Sequence, residues 1–183
     1  MNQLIKLVIS GTMGAGKSTA VAAISAVRPA RTEVPIFTGP MKNGKVTTTV
    51  GFDYGYLTLG DGRVVHIFGT PGQPRYEFMC RILSRGAIGL VILVDHTSTQ
   101  NIEEMQYFLK LFHDLIAETG AVVGVTHTDE APEKPFDIYY EVLEQNGLFL
   151  PVLPVDVREP DHVLLLLETL MTTLEYRGAP TYA

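Results

Sequence analysis

Gly11-Thr12-Met13-Gly14-Ala15-Gly16-Lys17-Ser18 fits the pattern G-x-x-x-x-G-K-[ST], and its setting matters as much as its letters. The apolar run Leu4-Ile5-Lys6-Leu7-Val8-Ile9 before it reads as a strand, and Thr19-Ala20-Val21-Ala22-Ala23-Ile24 after it opens a helix. Between a strand and a helix the stretch reads as a phosphate-binding loop rather than a plain glycine turn. Gly11 and Gly16 permit backbone angles and a closeness of approach that a Cβ would block, so successive N–H groups can turn inward on phosphate oxygens. The positive end of the following helix points at the same oxygens. Lys17 is expected to set its ammonium against the β- and γ-phosphates, and the Ser18 hydroxyl to ligate Mg²⁺. Met13, Gly14, Ala15 and Thr19 complete the expected phosphate contacts.

The whole chain sets limits on what such a loop can serve. Its 183 residues with 46% hydrophobic content suit one globular domain, 1–183, with a substantial core. A net charge of −6 without a basic run argues against a nucleic-acid surface. The only cysteine is Cys80, so no intrachain disulfide can form, as suits a reducing cytoplasm, and its helical neighbours mark a buried structural thiol. His66, His96, His113, His127 and His162 show no metal-ligand spacing. The longest apolar run, Ile88 to Val94 around Gly89, is too short to span a bilayer. There is no signal-peptide pattern, Met1-Asn2 is no myristoylation signal and Pro180-Thr181-Tyr182-Ala183 no prenylation signal. Membrane recruitment is therefore expected only through a partner, with the chain a monomer or a weak oligomer.

Periodicity predicts alternating strands and helices. Strand one covers about Leu4 to Ile9 and helix one Lys17 to Ala26, ending before Pro29. Arg28 to Lys45, rich in Pro, Gly and Thr, reads as a long mobile loop. Val50–Leu59 and Arg63–Phe68 around Gly60-Asp61-Gly62 predict a hairpin. Then follow a helix Arg75–Ser84, a buried strand Ile88–Val94, and a helix Ile102–Glu118 whose apolar residues recur at three- and four-residue steps. A strand Ala121–Thr126, a short helix Phe136–Gln145, a strand Val152–Val155 and a helix Asp161–Tyr176 complete the chain. The pattern is α/β: three layers around a six-stranded, mostly parallel sheet with one antiparallel edge strand.

In such a sheet the site lies beyond the carboxyl ends of the parallel strands, so functional residues belong to the loops that follow strands. One loop ends in Thr47-Thr48-Thr49-Val50-Gly51-Phe52-Asp53-Tyr54. Its threonines are either β-formers entering an edge strand, or one of them contacts Mg²⁺ and the γ-phosphate and makes the loop a switch. Another loop is Phe68-Gly69-Thr70-Pro71-Gly72-Gln73-Pro74-Arg75-Tyr76, either an ordinary turn or a segment in which the Gly72 N–H meets the γ-phosphate and Gln73 orients water.

Thr49-Val50-Gly51-Phe52-Asp53-Tyr54 resembles the T-I-G-x-D-F stretch of Rab proteins and the T-V-G-F of Arf proteins. Gly72-Gln73-Pro74-Arg75-Tyr76 resembles G-Q-E-R-F, and Ser84-Arg85-Gly86-Ala87-Ile88-Gly89 is similar to the Rab run Y-R-G-A-x-G. Over nearly its whole length the chain resembles a Ras-like small GTPase. It is most similar to the prokaryotic branch of gliding-motility polarity GTPases and conservon-type GTPases that work beside roadblock proteins. The resemblance implies a Ras-like G domain that binds GTP and GDP with Mg²⁺, and a roadblock-type partner. It makes Thr49 the magnesium-contacting threonine and, with Lys17 and Gln73, one of the three residues expected to act in hydrolysis. In this family the aspartate of N-K-x-D reads guanine; here Thr126-His127-Thr128-Asp129 keeps that aspartate and loses the asparagine and the lysine. Asp156-Val157-Arg158 takes the place of the S-A-K loop.

Two departures bear on mechanism. Gly69 replaces the D-x-x-G aspartate that holds a magnesium-bound water, which puts magnesium affinity in question. Asp53 is a conceivable substitute, but a strand carboxylate is expected to face solvent. Met13 replaces a glycine beside the γ-phosphate and is expected to crowd Gln73 and any incoming arginine, from a partner or from Arg75, so turnover should be slow. The reading is a GTP-driven switch. The alternatives are a nucleotide-dependent binding module without hydrolysis, and a small P-loop kinase, against which Asp95 to Ile102 offers no arginine-bearing lid.

Overall fold

In the computed structural model residues 5–30, 33–35, 47–49 and 51–176 are described, the segments 33–35 and 47–49 as backbone only. The central strand β1 (Ile5–Gly11) is buried along almost its whole length, which explains its continuous apolar run. Its residues alternate between two cores. Leu7 and Ile9 pack in a cluster with Ala20 and Val21 of helix α1 (Lys17–Ile24) and with Leu166 and Leu170 of the C-terminal helix, whereas Val8 packs on the opposite face.

Two short strands follow α1: β2 (Glu33–Pro35) and β3 (Thr47–Thr49), antiparallel to each other with Glu33 opposite Thr49. The expectation of one irregular loop from Arg28 to Lys45 is corrected here, because Glu33–Pro35 is a strand; residues 31, 32 and 36–46 lie outside the described residues. The sheet itself has the order β4-β5-β1-β6-β7-β8, with β4 (Asp53–Thr58), β5 (Val64–Gly69), β6 (Gly89–Asp95), β7 (Ala121–Thr126) and β8 (Val152–Pro154). Every pairing is parallel except β4 with β5, the edge hairpin that the Gly60-Asp61-Gly62 turn predicts. β4 starts at Asp53 rather than Val50, since Thr47–Thr49 pair with β2 instead.

The second face is covered by α2 (Glu77–Ser84), α3 (Asn101–Leu111), α4 (His113–Glu118) and α5 (Ile138–Gln145). From them Cys80, Met105, Phe108, Phe112, Ile116 and Tyr139 meet Leu90, Ile92, Val94 and Val123 of the sheet. Val91, Leu93 and Val122 point the other way, under α1 and α6 (Pro160–Tyr176). Each fully buried aliphatic side chain contributes roughly 2 kcal/mol, so these two apolar faces set the layer order. No helix among the described residues is long and apolar enough to cross a membrane.

Several helix boundaries differ from the periodicity, α5 starting at Ile138 rather than Phe136 among them. α1 stops at Ile24 because Ser25 turns extended and the chain joins β4: the Ala26 N–H donates to the Tyr56 carbonyl at 2.7 Å. The stretch Ile102–Glu118 is two helices, α3 and α4, that meet at Phe112 (φ −107°, ψ 18°). No proline or glycine causes the break, and it is local: Phe112 N–H still donates to Phe108 and Ile116 N–H to Phe112, which keeps the apolar stripe on one face. A 3-10 turn, Pro74–Tyr76, precedes α2, with Pro74 at its start, where no backbone N–H is needed.

β1 lies between β5, reached later through β4, and β6 on its other side. The chain reverses its direction of strand addition there, so a crevice opens beyond the carboxyl end of β1, where Gly11 begins the glycine-rich loop.

Candidate functional site

The loop from β1 to α1 has a backbone that only glycine takes without strain: Gly11, Gly14 and Gly16 have φ of 141°, 93° and 89°. Ala15 is fully buried at its base. Lys17 is the first residue of α1, and its Nζ donates to the Thr12 carbonyl inside the loop, so the ammonium is held in place although only 7% of the residue is exposed. Thr12 Oγ1 donates to Glu104 Oε2 of α3 at 3.1 Å, which ties the loop to the second helical layer. Thr19 is exposed at the outer rim.

The loop after β5 is anchored to β1 at its root. Thr70 N–H donates to the Ile9 carbonyl at 2.9 Å, and the buried hydroxyls of Thr70 and Ser10 share a hydrogen bond of 2.9 Å. Cys80 is buried with its Sγ 3.6 Å from the Pro71 carbonyl, and burial pushes its thiol pKa up, so it sits as a structural thiol. Gly72 then lies directly on the glycine-rich loop: a Cβ there would come within 2.5 Å of the Met13 nitrogen and 2.7 Å of Lys17 Nζ. Next to it Gln73 Nε2 donates to Met13 Sδ at 3.7 Å. Arg75 is turned outward, its guanidinium 5.0 Å over the Tyr76 ring.

Ser18 and Asp53 form the contact that the sequence expectation had the wrong way round. Asp53 does not face solvent; it is fully buried beneath α1, and Ser18 Oγ donates to its Oδ2 at 2.6 Å. The pairing register puts Asp53 opposite Gly69, and a Cβ on Gly69 would lie 3.1 Å from the Asp53 Cβ and 3.2 Å from Oδ2. Val21 of α1 presses on the same spot, 3.3 Å from that Cβ, so there is room for one carboxylate between the strands and the helix, and β4 supplies it. Thr49 is the last residue of β3, and its side chain lies outside the described residues.

On the other side of the loop a cavity of about 230 Å³ is lined by Gly14, Gly16, Thr19, Thr126, His127, Asp129, Glu130, Val155, Asp156, Val157 and Arg158. It unites the residues that the sequence assigns to base recognition and adds Glu130, Val155 and Arg158. Thr126 Oγ1 reaches the Ala15 and Val94 carbonyls at 3.4 and 3.3 Å, joining the two loops. Asp129 is exposed at the cavity wall. Arg158 grips Asp156 through Nε at 2.8 Å and holds its carboxyl at about 2.

His127 has a positive φ of 57°, a conformation that asparagine tolerates better than most side chains. Its Nδ1 lies 3.3 Å from Oδ1 of the buried Asp95, whose hydrogen bond raises the imidazole pKa against the opposing effect of burial. A raised folded-state pKa means that the stabilisation is fully present below the unfolded value of about 6.5 and is lost as pH rises through the folded value. The parent should therefore lose about 0.5 kcal/mol relative to His127→Asn between pH 6 and pH 8, read from urea midpoints. A stability difference that did not change between those pH values would contradict the pairing.

The chain is similar to Ras-related proteins. It is 31% identical over 110 residues to the Ras-related protein RABA1b of Arabidopsis thaliana, across 58% of this chain and 45% of that protein. It is 26% identical over 176 residues to the Ras-related protein Rab-25 of Oryctolagus cuniculus, across 93% and 76% of the two chains. An uncharacterized protein of Methanocaldococcus jannaschii is 34% identical over 88 residues, across 46% and 56%. The matched part thus spans about half the length of the first of these relatives. No protein-family model matches the chain. The six-stranded sheet with its single antiparallel pair, the glycine-rich loop at the end of β1 and these relatives together describe a Ras-like P-loop GTPase fold.

Proposed function

We propose that the chain is a GTP-binding molecular switch that hydrolyses GTP to GDP slowly and acts through partner proteins. One contact carries the reading: Gly72 approaches both the Met13 nitrogen and Lys17 Nζ, the two groups that a γ-phosphate would use. A third phosphate between them has to move or bind Gly72, so the position of the loop after β5 reports whether it is present. That is a difference between GTP and GDP that a partner can read.

The residues fit a magnesium nucleotide, because a hydroxyl and a buried carboxylate lie together at the mouth of a glycine cradle. Ser18 and Thr49 would hold Mg²⁺, which when bound neutralises charge on the phosphates. Lys17 neutralises further charge there, Gly11 to Thr19 supply N–H groups to the phosphate oxygens, and Gln73 orients the attacking water in line with the bond that breaks. The Met13–Gln73 contact holds that side chain away from such a task, which favours slow turnover. Asp129 accepts two hydrogen bonds, from the guanine N1–H and exocyclic amine, in the cavity with Thr126, His127, Asp156 and Val157. The partner is of roadblock type and the setting is the cytoplasm.

Calorimetric titration with GTP, GDP and ATP, with and without Mg²⁺, tests this reading. Guanine nucleotides should bind at least roughly 100-fold more tightly than ATP, since adenine cannot satisfy Asp129. Equal binding of ATP would remove guanine from the proposal. The Met13–Gln73 contact also supports a second reading, a binding module without hydrolysis. Phosphate release measured with and without a roadblock-type protein decides between them: release at background in both conditions favours the module.

A further inference from the structure

We propose that His127 is a titratable contact to the bound nucleotide: the buried Asp95 fixes one ring nitrogen, the other is left to the cavity of about 230 Å³, and nucleotide binding there takes up a proton on it. The inference rests on the nucleotide-binding reading above and goes beyond it to the regulation of that site by pH. Asp95 closes β6 with 1% exposure. Its Oδ1 accepts from the Thr97 N–H at 2.9 Å and the Thr97 hydroxyl at 2.7 Å, and lies 3.3 Å from His127 Nδ1. A carboxylate can only accept in such a contact, so Nδ1 carries a proton in both charge states of the ring. The same nitrogen lies 3.0 Å from Thr126 Oγ1, which reaches the Ala15 carbonyl of the phosphate loop. Titration therefore falls to Nε2, and His127, with 28% of its side chain exposed, lines the cavity beside Gly14 and Gly16.

Neutral, Nε2 is an acceptor; protonated, it is a donor on a charged ring. A nucleotide whose phosphates lie on Gly14 and Gly16 brings negative charge beside the ring and favours the second form. Filling the cavity also strips water from the imidazole, which disfavours the cation, but the attraction to the fixed carboxylate of Asp95 grows as the local dielectric falls. The other charged groups around the ring act mostly in the same direction. Asp95 from β6, and less strongly Glu130 and Asp129 from the loop after β7, hold the imidazole above its usual value against the burial that lowers it. From the loop after β8 come Asp156 and Arg158, whose guanidinium is bound to the Asp156 carboxylate. Gly14, Gly16 and Thr19, which line the cavity from the phosphate loop, bring no ionisable side chain. A lysine in place of His127 would stay charged at every working pH, so the dependence belongs to the imidazole of this chain. A merely structural alternative exists: the pair with Asp95 could serve only to hold the loop at its positive φ of 57°.

The experiment separates these. GDP is titrated at pH 6, 7 and 8 into the parent, His127→Gln and His127→Lys, with a melting curve at each pH to report folding. His127→Gln has no charge to gain, so dividing by its affinity removes the titration of the nucleotide's own phosphate. A ring held more strongly protonated in the bound state gives a gain in affinity that is complete below the pKa of the free protein and is lost as pH rises through the pKa of the complex; a tenfold stronger hold on the proton is a tenfold gain. The affinity ratio of parent to His127→Gln should therefore fall roughly 3–10-fold from pH 6 to pH 8, and the ratio of His127→Lys to His127→Gln should stay level within about twofold. Asp95→Asn, which keeps an acceptor for Thr97 but not the charge, should remove most of the fall. If parent and His127→Gln keep a constant ratio across the three pH values, the pair is structural and the proposal is overturned. A fall that survives Asp95→Asn in a folded protein keeps His127 as the contact and overturns the part of Asp95. If the parent binds no GDP at any pH, it is the nucleotide reading that fails.

Discussion

Replacing Lys17 by alanine is expected to weaken the binding of GTP and GDP by roughly 100-fold or more. Losing one partner of a desolvated charge contact costs about 2–5 kcal/mol, and 3 kcal/mol is about a factor of 100 in affinity. The loss belongs at the upper end because Lys17 is held before any ligand arrives. Its Nζ is fastened to the Thr12 carbonyl, and the residue is buried under Gly72, so little entropy is spent on placing it. Free protein should feel the change much less, since a buried ammonium is costly to desolvate. The check is titration of GDP into Lys17→Ala beside melting of the nucleotide-free protein. Parent-like affinity would refute the role of the loop, and an unfolded variant would be seen in the melt. Ser18→Ala should behave differently, with its loss confined to conditions that contain Mg²⁺.

Much of this site is legible in the sequence because it is local. Eight consecutive residues, Gly11 to Ser18, specify their own strand, turn and helix, and the buried runs of β6 and β7 show their layer by composition alone. The Gly60-Asp61-Gly62 turn likewise implies the hairpin, and counting outward from it puts Asp53 opposite Gly69. What composition does not show is the depth of a side chain on an edge strand. β4 lies at the edge of the sheet, where an aspartate ordinarily points to water, and only the path of α1 over its end buries Asp53. The break between α3 and α4 at Phe112 is equally silent in composition, since neither proline nor glycine marks it. Asp95 lies just past the strand Ile88–Val94 that periodicity predicts; it closes β6 opposite Thr126, and its link to His127, the residue after β7, depends on a register the sequence does not display.

Gly11→Ala should be the most destabilising single substitution considered, at about 3–5 kcal/mol, the range that backbone strain and overpacking together reach. Gly11 closes β1 with φ 141°, a conformation that a side chain strains whatever the surrounding space. Here there is none: a Cβ would lie 2.2 Å from the Leu93 carbonyl oxygen and 3.1 Å from its carbon. Leu93 is the residue paired with Gly11 across the parallel β1–β6 ladder, and both strands are core strands with helices on each face. No rotamer can relieve a clash with backbone, and moving either strand breaks ladder hydrogen bonds. A domain of this size loses roughly 2–4 °C per kcal/mol, so the melting temperature should fall by about 10 °C or more. Gly60→Ala in the exposed hairpin turn is the control: nothing lies within 4 Å of a Cβ there, and the change should stay within about 0.5 kcal/mol. A Gly11→Ala protein that melts with the parent would mean that β1 and β6 separate at little cost, contrary to a central ladder holding the loop in place. Because the strained residue is also the first of the phosphate loop, excess GDP should recover little of the lost stability, since binding stabilises only a loop that can still form.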